Sequence, residues 1–243
     1  MYKLQQGARI LFQGDSITHG GRGDPNNPSH SMGHGYAFNI ASEIGCKYAE
    51  KQYQFMNRGI SGNDIQLLTE RWQKDTLDLK PDVLSFMTGI NDINVNDPSK
   101  ENADKKAQEY YEAYCKLIEW TKKDLPDCKI IVLEPFTYKL NRIFQLSRNA
   151  LDVGEFIPHI TKNELALAPS AIRKERIVKL QEAVRKVAKE YDLIFVPMQD
   201  AFDKALERAE DCYWNWDSLH PTYSGHYMMS RRWLEVVQEE IEF

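Results

Sequence analysis

Short apolar runs alternate along this chain with longer stretches in which apolar residues recur at three- and four-residue intervals. The runs Ala8–Gln13, Gln54–Arg58, Asp82–Thr88, Lys129–Glu134 and Leu193–Val196 are mostly apolar throughout, without a strict polar alternation. That pattern predicts strands buried on both faces. Between them the period changes to that of a helix. Ile65, Leu68, Trp72 and Leu79 form one such series. Ala107, Tyr110, Tyr111, Tyr114, Leu117, Ile118 and Thr121 form a second, within residues 103–125. Ile177, Leu180, Val184, Val187 and Tyr191 form a third, and Met229, Trp233, Val236, Val237 and Ile241 close the chain with a fourth. Each is the apolar face of an amphipathic helix. Strand and helix in regular alternation predict an α/β fold, a parallel sheet covered on both faces, with ligands at the carboxyl ends of its strands.

Two stretches break the pattern. Residues His19–Gly35 are rich in Gly, Pro, Asn, Ser and His, and residues Lys139–Ala171 form a long connection punctuated by Pro158 and Pro169. Connections this long are lids, interfaces or disordered segments. Phe144, Leu146, Leu151, Phe156, Ile157 and Ile160 are many apolar residues for one loop, and they suggest a lid or a subunit interface. At 243 residues the chain fits one domain, 1–243, with an insertion at 139–171. The net charge of -5 argues against nucleic acid as the main partner, because phosphate binding needs a basic face. The basic run Arg173–Lys189, interleaved with Glu175 and Glu182, reads as a solvated helix face. No apolar run reaches the length of a signal peptide or a membrane span, so a cytoplasmic protein without a membrane partner is expected. Cys46, Cys115, Cys128 and Cys212 show no Cys-x-x-Cys pairing, and buried free thiols are expected.

Three clusters carry the chemistry, each at the end of a predicted strand or in the last loop. Gly14-Asp15-Ser16 follows the first strand, Gly89-Ile90-Asn91-Asp92 the third, and Asp217-Ser218-Leu219-His220 precedes the last helix. A serine nucleophile needs an adjacent base, and the base needs an orienting carboxylate. Ser16, His220 and Asp217 supply these roles, with Asp217 and His220 three residues apart and able to share one side of a turn. Asn91 offers an amide donor to a developing oxyanion. Gly62, after the second strand, offers a backbone N–H at a place where substrate can approach closely. The Ser16 N–H is a further donor if a helical turn starts there. Taken singly, each cluster also reads as ordinary capping and turn chemistry. Trp216 beside the triad acid fits an acyl-pocket wall or a sugar platform. Asp15, Arg58 and Trp216 are the weaker substrate-contact candidates. Trp72 reads as core, and His226 as a packing or capping residue. His19, His30 and His34 share one loop without any metal-ligand spacing, so no metal and no cofactor is expected.

Ser16, Gly62, Asn91 and His220, in that order, resemble the four blocks of the SGNH (GDSL-type) hydrolases, and Asp217 matches their triad acid. The resemblance implies a flavodoxin-like three-layer α/β/α sandwich of about five parallel strands in the order 2-1-3-4-5. It also implies metal-free ester hydrolysis with an oxyanion hole of Ser16, Gly62 and Asn91. A narrower set resembles the bacterial intracellular acetylxylan esterases: Gly33-His34-Gly35-Tyr36, Asn57-Arg58-Gly59-Ile60-Ser61-Gly62-Asn63, Arg71-Trp72, Gly89-Ile90-Asn91-Asp92, Trp216-Asp217, His220-Pro221 and Ser224-Gly225-His226. That resemblance implies a small carbohydrate-ester substrate, such as acetylated xylo-oligosaccharides, and a homo-oligomer. The chain departs from those enzymes in Lys139–Ala171. Two other readings compete: a lysophospholipase or thioesterase acting on longer acyl chains, and a carbohydrate-binding protein without activity. The second has no need for an intact Ser16, Asp217 and His220.

Overall fold

The computed structural model describes residues 1–24, 27–93, 100–137, 143–146, 158–161, 170–216 and 219–243. In chain order the strands are β1 (Tyr2–Lys3), β2 (Arg9–Gly14), β3 (Gln54–Asn57), β4 (Val83–Met87), β5 (Lys129–Leu133), β6 (Ile143–Leu146), β7 (Pro158–Thr161), β8 (Ile194–Val196) and β9 (Ile241–Glu242). The helices are α1 (Ser16–His19), α2 (Tyr36–Lys47), α3 (Ile65–Glu70), α4 (Trp72–Asp75), α5 (Lys100–Asp124), α6 (Ser170–Glu190), α7 (Gln199–Ala205), α8 (Asp211–Trp214) and α9 (Tyr223–Glu240). Among the described residues, no helix is long and apolar enough to cross a membrane.

The five expected strands are present, each within about one residue of its apolar run. They form one parallel sheet in the order β3-β2-β4-β5-β8. Counting only these five strands along the chain, that is the order 2-1-3-4-5. After β3 the chain crosses to the other side of β2, so β2 and β4 lie side by side while their following segments diverge. Such a switch point leaves a crevice at the carboxyl ends of the two strands.

Side chains alternate across the sheet, and each face recruits its own helices. Phe12 and Ser85 are register partners on one face. Phe12 meets Tyr36 of α2 and Trp233 of α9, with ring centroids 6.1 and 6.0 Å apart, and the Trp233 indole N–H donates to the Ser85 hydroxyl at 3.0 Å. Their neighbours Gln13 and Phe86 point to the other face. There Phe86 packs on Trp72 of α4 at 5.2 Å and on Tyr114 of α5 at 4.7 Å. Trp72 is fully buried, as expected of a core residue, and donates to the Thr121 hydroxyl at 3.0 Å. The two tryptophans thus anchor opposite layers while satisfying their own N–H groups.

Three expectations change. The helix through Ile65, Leu68, Trp72 and Leu79 is broken into α3, α4 and a 3-10 turn at Leu77–Leu79. The Thr69 hydroxyl donates back to the Ile65 carbonyl at 2.7 Å, a contact that bends helices, and Arg71 leaves helical geometry directly after it. The connection Lys139–Ala171 is not wholly irregular: β6 and β7 pair antiparallel within it, Ile143 opposite Thr161, and the remaining residues between 137 and 170 lie outside those described. The thiols of Cys46, Cys115 and Cys128 are free, but Cys46 is exposed and the other two are half-buried, so none is the fully buried thiol expected. Cys46 lies on α2, whose buried face is Tyr36, Ala37, Ile40 and Ile44.

The start of α9 is pinned against α8. The Trp214 carbonyl accepts from the Thr222 N–H at 2.9 Å, and a Cβ on Gly225 would lie 2.2 Å from that carbonyl oxygen. Gly225→Ala should therefore destabilise the protein, although alanine is the better helix former by about 1 kcal/mol. The chemical-denaturation midpoint checks this. An unchanged or raised midpoint would show that the contact is not limiting.

Candidate active site

The site grows out of the end of β2. Gly14 has φ 154°, and a Cβ there would lie 2.4 Å from both the Met87 carbonyl oxygen and the Thr18 hydroxyl. Only glycine allows the two strand ends to come this close. The chain then turns immediately into α1. Asp15 is its N-cap, with the carboxylate accepting from the Ile17 N–H at 2.9 Å, and Ser16 is the first helical residue. The hydroxyl of Thr18 meets that of Tyr36 at 2.9 Å, tying the turn to α2.

Ser16 and His220 are 204 residues apart in sequence, yet the Ser16 Oγ and His220 Nε2 are 2.7 Å apart. The loop carrying His220 is closed by the antiparallel bridge Asn215–Pro221 and by the Trp216 N–H donating to the His220 carbonyl at 3.1 Å. The Trp216 ring lies nearly parallel to the imidazole, centroids 5.9 Å apart, and is 45% exposed. Asp217 lies outside the described residues. Trp214 is buried in the packing of α8 against α9.

The second and third strands deliver the other candidates. The Ile60 N–H donates to the Gly14 carbonyl at 3.0 Å, which brings the loop after β3 to the end of β2. Within it, Gly62 has φ 81° and no atom within 4 Å of the place its Cβ would occupy. Its glycine is required by the left-handed backbone, not by crowding. After β4 the Asn91 amide donates to the Asn63 carbonyl at 2.9 Å, so the side chain is oriented by the residue next to Gly62. The second N–H of an amide group so held is directed by the first.

Two of the weaker candidates sit differently from the third. Asp15, expected to contact substrate, is instead buried, and its carboxyl faces the helix it caps. Burial pushes its pKa up to about 6 despite the Ile17 N–H and the nearby His220, so near neutral pH it is mostly ionised. Arg58 follows β3, half-buried, with a long contact of 3.4 Å to the Asn57 carbonyl. Trp216 alone of the three presents an open face beside His220.

Sequence reading missed two supporting asparagines. Buried Asn57 donates to the carbonyls of Thr18 (2.7 Å) and Met32 (3.0 Å) and accepts from the Gly59 N–H at 2.9 Å. It holds the loop after α1 against the loop after β3. Asn63 carries the acceptor for Asn91. Both lie in the block quoted around Gly62, where an asparagine at a strand end was the only available signal. Asp92 is also structural: it accepts from the Ile65 N–H at the start of α3 (3.0 Å) and from the Thr88 hydroxyl (3.3 Å). Burial, and then the neighbouring Asp64 and Asp15, push its pKa up to about 7.

The model of the GDSL-like lipase/acylhydrolase family matches residues 12–228. The chain belongs to this family. An acetylxylan esterase from Geobacillus stearothermophilus is 28% identical over 239 residues, covering 97% of this chain and 96% of its own. Among solved structures, a variant of an acetyl xylan esterase from the same organism is 28% identical with a TM-score of 0.75 over 99% of both chains. An α/β hydrolase from the metagenome of Lake Arreo, Spain, is 26% identical with a TM-score of 0.72 over 97% of both chains. This GDSL-type protein is accordingly a carboxylic ester hydrolase.

His226, six residues after His220, does what a capping residue does. Its Nδ1 accepts from the Tyr36 N–H at the start of α2, 3.2 Å away. Burial, and then the neighbouring imidazoles of His34 and His220, lower its pKa to about 4. A depressed histidine contributes stability that is complete above its unfolded value of 6.5 and is lost as the pH falls through the folded value. The linkage amounts to at most about 3 kcal/mol. His226→Asn offers an amide oxygen to Tyr36 without a charge to acquire. Between pH 7 and pH 4 the wild type should lose more unfolding free energy than this variant, and equal losses in denaturant titrations would sink the assignment.

Proposed function

We propose that this hydrolase removes short acyl groups, acetyl above all, from carbohydrate esters such as acetylated xylo-oligosaccharides. The Ser16–His220 contact of 2.7 Å carries the reading. The similarity to an acetylxylan esterase along nearly the whole of both chains supports the substrate class. Solved variants of that esterase described as catalytic mutants replace a serine, an aspartate and a histidine, the last two three positions apart. Asp217 and His220 have the same spacing, and Asp217 is assigned as the carboxylate that orients His220.

In this mechanism Ser16 Oγ attacks the ester carbonyl carbon as His220 Nε2 takes its proton. The π electrons of the carbonyl move to its oxygen. Asp217, and the ionised Asp15 nearby, favour the imidazolium that forms. The N–H groups of Ser16 and Gly62 and the Asn91 amide hold the oxyanion. Collapse expels the alcohol, which leaves with the proton from His220, and a water molecule then hydrolyses the acyl-enzyme with His220 again as base. Trp216, lying over the imidazole with an open face, limits the acyl side to small groups and offers a ring for sugar stacking.

Hydrolysis of p-nitrophenyl acetate, butyrate and octanoate, with Ser16→Ala alongside, tests both parts. Acetate should lead. Ser16→Ala should lose turnover by at least about a thousandfold with its melting temperature little changed. Octanoate in the lead would remove the acetyl assignment, and an active Ser16→Ala would remove the nucleophile.

A further inference from the structure

Arg71 sits in the break between α3 and α4, and its guanidinium gathers atoms from the end of β2 and from the loop after β3. Its Nε donates to the Asn63 side-chain oxygen at 2.6 Å. Its Nη1 donates to the Arg58 carbonyl at 2.8 Å, to the Gln13 side-chain oxygen at 2.9 Å and, more weakly, to Asp75 at 3.3 Å. Its Nη2 donates to the Gly14 carbonyl at 3.1 Å. The side chain is only 13% exposed. A planar fork of fixed N–H directions suits this task, since each acceptor fixes the direction offered to the next.

The acceptors are not scattered. Gly14 ends β2 two residues before Ser16. Arg58 and Asn63 bracket the segment that contains Gly62. The Asn63 carbonyl in turn receives the Asn91 amide at 2.9 Å. One side chain therefore fixes the relative positions of the Ser16 turn and the Gly62 loop directly, and that of Asn91 through Asn63. Asp75, one helical turn after Arg71, and the Gln13 side chain keep the guanidinium from rotating. Gln13 is itself held by the Asp75 carbonyl at 2.8 Å and the Thr76 hydroxyl at 2.9 Å.

We propose that Arg71 is a positioning residue for the oxyanion hole, registering the Ser16, Gly62 and Asn91 donors against one another from a single guanidinium. This rests on the assignment of those three donors given under the proposed function. Donors aimed at the oxyanion act mainly in the transition state, so their misplacement lowers kcat more than it raises KM. A residue that merely held the fold together would change stability without that signature.

The test is steady-state kinetics on p-nitrophenyl acetate for wild type, Arg71→Met, Asn63→Ala and Ser16→Ala. It is paired with inhibition by a short-chain trifluoromethyl ketone, which forms a tetrahedral oxyanion adduct with a serine. Arg71→Met should lower kcat by about 10- to 100-fold with KM within about threefold of wild type. Its affinity for the ketone should fall by the same factor as kcat/KM. Asn63→Ala, which removes one of the five acceptors, should move both quantities the same way by less. Turnover and ketone affinity within about twofold of wild type in Arg71→Met would overturn the proposal, as would a loss confined to KM. If Arg71→Met does not fold, Asn63→Ala decides: parallel losses in kcat and ketone affinity support the role, and unchanged values overturn it. An active Ser16→Ala would remove the site assignment itself, whereas an inactive Ser16→Ala beside a wild-type-like Arg71→Met removes only the role of Arg71.

Discussion

The close approach of β2 and β4 at their carboxyl ends is the constraint on which the site depends. Gly14 and Met87 are register partners there, and no side chain fits between the Gly14 Cα and the Met87 carbonyl. Because the sheet order reverses at this pair, the chain leaves β2 toward α1 and α2 and leaves β4 toward α5. The crevice between the diverging segments is where Ser16 and Asn91 emerge. The third loop, after β3, reaches the same point by donating its Ile60 N–H to Gly14. A sheet with the same strands in another order would separate these loops by whole strand widths, roughly 5 Å each.

His220, assigned as the base, arrives by a different route. It belongs to no strand, and its loop depends on the packing of α8 against α9 and on the bridge between Asn215 and Pro221. Gly225 and Thr222 make that packing possible, one by having no side chain and the other by capping α9 at the Gly225 N–H. The last helix is tied to the sheet by Trp233, whose N–H reaches Ser85 on β4. The same helix that delivers the base is thus fixed to the strand that delivers Asn91.

Much of the fold was legible in the sequence because the central strands β2, β4 and β5 are buried on both faces and must be apolar there. The outer strands β3 and β8 are half-buried and were placed by their position between helical periods. The meeting of Ser16 and His220 was legible through the order of their blocks. The break in the helix at Arg71 was not, because Trp72 continues the apolar series across it and the interruption shows only in the backbone of Arg71. The ladder between β6 and β7 was hidden for the opposite reason: Pro158 and scattered apolar residues read as loop. Asn57 was illegible as a support because its acceptors are backbone carbonyls, which every residue type offers, and Asn63 and Arg71 because their partners lie on segments distant in sequence or next to other turn residues. The capping role of Asp15 was likewise hidden, since its bond to the Ile17 N–H shows only in the folded chain.

The region around Ser16 and Asn91 carries several buried ionisable groups. Asp15 and Asp92 have raised pKa values and His226 a lowered one, and in each case burial is the first cause. Each also has a backbone N–H donor: Ile17 for Asp15, Ile65 for Asp92 and Tyr36 for His226. A buried polar group without a partner costs on the order of 1–3 kcal/mol, so these contacts are what make the arrangement tolerable. In return, each side chain fixes the start of a helix, α1, α3 and α2 respectively. All three helix starts border the crevice. Apolar residues would fill the same space at lower cost, but they have no directional bond with which to hold a helix terminus in place. These buried ionisable side chains are therefore best understood as the means by which three helices are held in register with the strand ends that carry Ser16 and Asn91.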